Sequence, residues 1–153
     1  MRTIKTKDFF DPAYLATELH NLSNRSYENG SPWNIDQFAE DLFNQQSQYL
    51  ILEEEGIVGF LSYHQFLDEC EIFNLAIHPN YQKKGYGALL LQKLIQTAVE
   101  EQIVQIMLEV RVTNFSAQHL YINQGFEVIA RRKNYYHSPT EDALIMMKKV
   151  RPE

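Results

Sequence analysis

The stretch from Ile72 to Val99, IFNLAIHPNYQKKGYGALLLQKLIQTAV, leaves few folds open. It reads as an apolar strand, a turn opened by Pro79, a loop Gln82-Lys83-Lys84-Gly85-Tyr86-Gly87, and an amphipathic helix. Gly85 and Gly87 reach backbone angles closed to other residues and let a ligand approach the main chain. The loop ends where the helix begins, so free N–H groups and the positive end of the helix dipole point into it. Such a place binds phosphate or pyrophosphate without a metal. Three patterns compete. A nucleotide-triphosphate loop needs G-x-x-x-x-G-K-[ST], which is absent. A dinucleotide fingerprint needs a third glycine where Leu90 stands. The pattern Q-x-x-G-x-G between strand and helix remains, and an ordinary glycine turn has the same letters.

Size and charge narrow the classes. At 153 residues the chain fits one domain, 1–153, that buries about two-thirds of its unfolded surface. No apolar run reaches the roughly 18 residues needed to span a membrane, and no signal peptide precedes the first strand. The single cysteine, Cys70, rules out an internal disulfide and fits a reducing compartment, so a cytoplasmic location is expected. A net charge of −6 argues against a nucleic-acid surface, which shows as a basic stripe; Arg131-Arg132-Lys133 is the one basic cluster.

Taken in order, Met1 to Lys5 is a short strand. Asp11-Pro12 opens a helix to about Asn24, with Tyr14, Leu15, Leu19 and Leu22 at helical spacing. After the Asn29-Gly30-Ser31-Pro32 loop, Asn34 caps a second helix with Ile35, Phe38, Ala39 and Leu42 on one face. These helices form a wall over a binding site, with Trp33 read as a packing residue. Tyr49 to Leu52 and Ile57 to His64 form a hairpin around Gly56. Glu69 to Ile77 is the strand feeding the loop, and the helix from Gly85 to Glu101 turns Leu90, Leu91, Leu94, Ile95, Ala98 and Val99 inward. Val104 to Arg111 alternates Ile106, Leu108 and Val110 with Met107, Glu109 and Arg111. Asn114 caps a helix from Phe115 to Asn123, and two strands, Phe126–Tyr136 and Ala143–Val150, close the chain. This order predicts an α/β (α+β) fold: a mostly antiparallel sheet of about seven strands flanked by four helices, with one parallel pair at the crossover.

The loop pattern, together with LEVRVTN (Leu108 to Asn114), LYINQGF (Leu120 to Phe126), ARRKNYY (Ala130 to Tyr136) and EDALIM (Glu141 to Met146), resembles the GNAT superfamily of N-acetyltransferases. Within it, the chain is similar to the branch of ribosomal-protein-alanine N-acetyltransferases, the RimI type. The resemblance is strongest from Glu69 to Met146 and weak before Pro32. Lys84 stands where that branch often has a neutral residue. The resemblance implies transfer of acetyl from acetyl-CoA to the free α-amino group of a protein, the N-terminal alanine of a small-subunit ribosomal protein; the charge and hydropathy above add the expectation of no nucleic-acid or membrane partner. It implies that Leu75, Ala76 and Ile77 pair with the pantetheine arm as with an added strand. Gln82 opens the loop, and Lys83, Lys84, Gly85, Tyr86, Gly87 and Ala88 wrap the pyrophosphate. Asn114 touches the arm or the acceptor, Glu109 serves as general base, and Tyr121 as general acid.

The chemistry is compatible with those types. An amine attacking a thioester loses a proton, and the departing thiolate needs stabilising. A free α-amine of pKa near 7.7–8.0 is already about a tenth neutral at pH 7, which leaves a carboxylate a modest task. A surface glutamate paired with Arg111 is the bland reading of Glu109, and Glu71 on the neighbouring strand is the rival base. Tyr121 lies seven residues after Asn114, so both can face one groove. The bland reading of Tyr121 is an anchor for a short helix. Cys70 has no partner motif for a thiol intermediate, and the five histidines show no metal-ligand spacing, so no metal is expected. Asn134, Tyr135 and Tyr136 either line the acceptor groove or pack across strands. Two other functions stay open: acetylation of a lysine or small amine, and coenzyme binding without turnover.

Overall fold

The computed structural model describes residues 1–150. Seven strands form one sheet: β1 (Thr3–Lys5), β2 (Ser47–Glu53), β3 (Ile57–Phe66), β4 (Glu69–Ile77), β5 (Gln105–Arg111), β6 (Glu127–Tyr136) and β7 (Glu141–Lys149). Their order is β1-β2-β3-β4-β5-β7-β6. Only β4 and β5 run parallel, as the crossover through a helix requires. Four helices flank the sheet: α1 (Pro12–Ser26), α2 (Ile35–Leu42), α3 (Tyr86–Glu100) and α4 (Phe115–Asn123). None of the helices among the described residues is long and apolar enough to cross a membrane.

Local chemistry sets the helix starts. The Asp11 carboxylate accepts from the Tyr14 N–H with Pro12 in the first turn, and Asn34 and Gln37 form a reciprocal capping box. Each face of the sheet has its own core. On one, Leu15, Leu19 and Leu22 of α1 and Phe38 and Leu42 of α2 meet Tyr49, Ile51, Phe60 and Ala76. On the other, Leu90, Leu91, Leu94 and Ala98 of α3 meet Leu50, Leu61, Ile72, Ile106, Leu108 and Val110. The period-2 alternation of β4 and β5 supplies one residue to each face in turn.

Three expected core positions lie outside it: Tyr14, Ile35 and Val99 are exposed. Each sits at the margin of its helix stripe, where period alone does not say how wide the buried strip is. Trp33 packs as expected, edge-on to Phe38 with centroids 5.2 Å apart.

Candidate active site

The site begins with an irregularity in β4. Ser62 lies opposite Asn74 and Tyr63 opposite Ile72, so Phe73 is an extra residue with no partner on β3. The pairing of β4 with β5 ends at Ile72 opposite Leu108, and beyond it the two strands part. The His78 N–H donates to the Val58 carbonyl at 2.8 Å, which sets the alternation backwards along the strand. Asn74 and Ala76 turn their main chain to β3, and Leu75 and Ile77 turn theirs to the gap. Of Leu75, Ala76 and Ile77, Ala76 pairs with Phe60 of β3, and its side chain is buried under α1. At the gap the Leu75 N–H donates to Tyr27 Oη at 2.9 Å. The Ile77 carbonyl accepts from Ser26 Oγ at 2.8 Å and from Gln82 Nε2 at 2.9 Å. The Gln82 side chain thus braces the strand end, and its amide is turned inward.

The loop after β4 is a cradle of main-chain donors. Gly85 takes φ +82°, the left-handed conformation, and leaves α3 with no side-chain cap. Among the described residues, no acceptor meets the N–H groups of Lys83 through Ala88; the first helical bond runs from Leu89 to the Gly85 carbonyl. Six unpaired donors at a helix N-terminus fit an anion such as a pyrophosphate. A Cβ on Gly85 would meet nothing within 4 Å, so this glycine answers to backbone angle. At Gly87 a Cβ would come within 3.2 Å of Leu120 Cδ2, so this glycine answers to the close seating of α3 on α4. The Tyr86 side chain turns away into the core, and its hydroxyl donates to both oxygens of Glu54 at 3.0 and 2.9 Å. Tyr86 therefore offers the loop only its N–H. Lys83 and Lys84 are exposed, and Lys84 Nζ stands 5.4 Å from the Tyr81 ring centre.

Glu71 and Glu109 share the sheet face across the β4–β5 pair, because Glu71 lies opposite Met107 and Glu109 is two residues on. Glu109 is not paired with Arg111. That guanidinium donates to Glu141 Oε1 and to the Pro139 carbonyl, both at 3.2 Å, and lies 4.3 Å from the Tyr136 ring centre. Tyr135 Oη instead donates to Glu109 Oε1 at 3.2 Å, and Arg132 Nη1 stands 3.9 Å from Oε2. Glu109 Oε2 is buried without a hydrogen-bond partner. A carboxylate oxygen left so is costly unless a donor arrives, and an ammonium is such a donor. Burial, and then the charge of Glu109, hold the Glu71 carboxyl above the usual range, against the pull of His64 and Arg132. Asp41 Oδ1 fixes His64 Nε2 at 2.8 Å.

Tyr121 is buried, edge-on to Phe126 with centroids 5.5 Å apart. Burial first, then the nearness of Tyr27 and Tyr136, push its hydroxyl well above an ordinary phenol. Asn114 caps α4 through Oδ1, which accepts from the Ala117 N–H at 3.2 Å, so its amide nitrogen is the atom left for a ligand. Sequence reasoning missed Tyr27, Ser26 and Arg132. Tyr27 and Ser26 follow a regular helical stripe and touch β4 only through the fold. Arg132 lies in the one basic cluster, which was weighed as a nucleic-acid surface. Burial pushes the Cys70 thiol up to about 12, which leaves it inert as a nucleophile. No group of three or more His, Cys, Asp or Glu placed to hold a metal occurs among the described residues.

Comparison with known proteins places this geometry. Residues 16–126 match the acetyltransferase (GNAT) family. The chain is 40% identical over 121 residues to the ribosomal protein bS18-alanine N-acetyltransferase of Haemophilus influenzae, covering 75% of this chain and 80% of that one. It is 42% identical over 111 residues to the Haemophilus ducreyi protein of the same name, covering 69% and 77%. Its structure matches the crystal structure of the ribosomal-protein-S18-alanine N-acetyltransferase from Escherichia coli with TM-score 0.88 and 29% identity, over 100% of this chain and 96% of the other. The strand that parts from its parallel neighbour, the glycine loop at its end and the sequence over most of the chain agree: the protein belongs to the GNAT family of acetyltransferases.

Proposed function

We propose that the protein transfers the acetyl group of acetyl-CoA to the free α-amino group of a protein, the N-terminal alanine of a small-subunit ribosomal protein. The observation that carries this reading is the gap itself, an open β4 edge leading straight into six unpaired N–H groups. A pantetheine arm carries amides that pair with a strand edge, and its pyrophosphate suits a helix N-terminus. The names of the Haemophilus and Escherichia coli relatives supply the acceptor.

In this reading the chain's own residues divide the work. Glu109 receives the amine at Oε2 and takes its proton as the nitrogen attacks the thioester carbon. Tyr135 and Arg132 orient that carboxylate. Tyr121 hydrogen-bonds the sulfur as the C–S bond breaks and supplies the thiolate's proton. A phenol held above its usual pKa keeps its proton at working pH, so it is in place to hydrogen-bond the sulfur as charge develops there and then to protonate it. Acetyl-CoA supplies the activated acyl group, and the fold's part is to hold it beside the amine.

The test is incubation with labelled acetyl-CoA and a mixture of ribosomal proteins, followed by mass spectrometry. Label on the α-amine of one small-subunit protein is expected. Label confined to lysines or to polyamines overturns the acceptor.

A further inference from the structure

We propose that Tyr27 is a third catalytic residue, whose hydroxyl is held by the Leu75 N–H and donates to the thioester carbonyl oxygen. The inference rests on the acetyl transfer proposed above, and it follows from counting the polar groups that line the gap.

From Phe73 to Ile77, four main-chain groups turn to the gap side of β4: the N–H and carbonyl of Leu75 and the N–H and carbonyl of Ile77. The outer two are taken. Tyr27 Oη holds the Leu75 N–H at 2.9 Å. Ser26 Oγ and Gln82 Nε2 hold the Ile77 carbonyl at 2.8 and 2.9 Å. The inner two, the Leu75 carbonyl and the Ile77 N–H, have no partner among the described residues. One amide of an extended arm satisfies both, its N–H on the Leu75 carbonyl and its own carbonyl on the Ile77 N–H.

That pairing fixes direction. The donors of Lys83 to Ala88 follow the carboxyl end of β4, so an arm anchored there runs backwards along the strand. Its thioester end passes Leu75 and arrives where the Tyr27 hydroxyl stands. The oxygen of Tyr27 already accepts a hydrogen bond and retains one proton to donate. A hydroxyl that accepts from an amide is a better donor in turn, because hydrogen bonds in a chain polarise one another. Burial pushes the Tyr27 hydroxyl up to about 12, so the proton is present throughout the neutral range.

The step balances. The amine lone pair forms the C–N bond and the carbonyl pair moves onto oxygen, where Tyr27 stabilises it. The pair then returns and the C–S bond breaks; Tyr121 protonates the thiolate and is reprotonated from solvent, to which Glu109 gives up the amine proton. Tyr27 ends the cycle with the proton it began with. Tyr27 is near enough to Tyr121 to raise the cost of ionising that phenol.

The test compares wild type and Tyr27→Phe by calorimetry with acetyl-CoA and, separately, with coenzyme A that carries no acetyl group. Steady-state rates accompany both. A hydrogen bond to the acetyl oxygen predicts that the preference for acetyl-CoA falls about threefold to tenfold in the variant. Affinity for coenzyme A should stay within about twofold, and kcat should drop on the order of a hundredfold, the usual cost of an oxyanion donor. Asn24→Ala controls for movement of the α1 end, since Asn24 Oδ1 holds the Ser31 N–H and lies away from the gap. It should keep the wild-type preference. An unchanged preference in Tyr27→Phe, tighter binding of both ligands with kcat retained, or the same loss in Asn24→Ala overturns the assignment. The first two mean that Tyr27 only plugs the Leu75 N–H. Failure of wild type to bind either ligand is a different result, and it defeats the acetyl-transfer reading itself.

Discussion

Replacing Glu109 by glutamine removes one charge and nothing else of size. Gln keeps an oxygen for Tyr135, now 3.2 Å from Oε1, and places an amide where Oε2 lies buried without a partner. A positioned general base contributes about 10²–10⁴ in rate. The lower end applies here, because an α-amine of pKa near 7.7–8.0 is already about a tenth neutral at pH 7. The expected fall in kcat/KM at pH 7 is therefore about a hundredfold, or roughly 2.7 kcal/mol of barrier. By pH 9.5 the amine is neutral unaided, and the deficit should shrink to about tenfold or less. Stability should hold or rise, since the change removes a partly buried negative charge that faces Glu71 across the strand pair. The assay is thiol release with a peptide bearing a free N-terminal alanine, from pH 6 to 9.5, beside a thermal melt. A rate unchanged at pH 7, or a deficit equal at both ends of the range, refutes the reasoning. A hundredfold loss in Glu71→Gln with none in Glu109→Gln would hand the role to the neighbouring strand.

Other outcomes follow from the same contacts. Tyr121→Phe should lower kcat with little change in coenzyme affinity, and an unaltered rate removes it from the chemistry. Glu71 titrates above the ordinary range in the folded chain, so the native state holds a proton the unfolded chain has lost, and stability falls as pH rises through that window. Glu71→Gln should therefore raise the melting temperature at pH 7 and have no effect in acid below the unfolded carboxylate pKa; equal effects at both pH values contradict this. Asp41 accepts from Ser47 and Tyr49 and holds His64, with only 9% of its side chain exposed. Asp41→Ala strands those partners and should cost about 2–4 kcal/mol in denaturant unfolding. Gly85→Ala forces a left-handed alanine at about 1–2 kcal/mol and should weaken acetyl-CoA binding in calorimetry while Leu108 and its neighbours stay packed.

The strand, loop and helix from Glu69 to Glu100 were legible because one short segment holds all their signals: alternation, glycine and a helical stripe. The caps at Asp11, Asn34 and Asn114 were equally local, and the parallel β4–β5 pair followed from the crossover. The bulge at Phe73 was not legible, since an extra residue in a strand changes no side-chain type and shows only against its partner. For the same reason the register that pairs Ala76 with β3 and leaves Leu75 and Ile77 on the gap side was not legible. Tyr27 and Ser26 reach β4 across about fifty residues of chain, a distance no periodicity spans. The bland reading of Glu109, a pair with Arg111 close by in sequence, does not hold, because Glu141 across the sheet claims that guanidinium. Tyr135 stood among the candidate groove residues, and the fold brings its hydroxyl to Glu109.

Amide hydrogen exchange with and without acetyl-CoA reads the cradle most directly. The N–H groups of Lys83 through Ala88 and of Ile77 should exchange freely in the unliganded chain and become protected on addition of the coenzyme, with β1 and α2 unchanged. Saturating acetyl-CoA that leaves those seven amides exchanging as before, or that protects a different surface, contradicts the account.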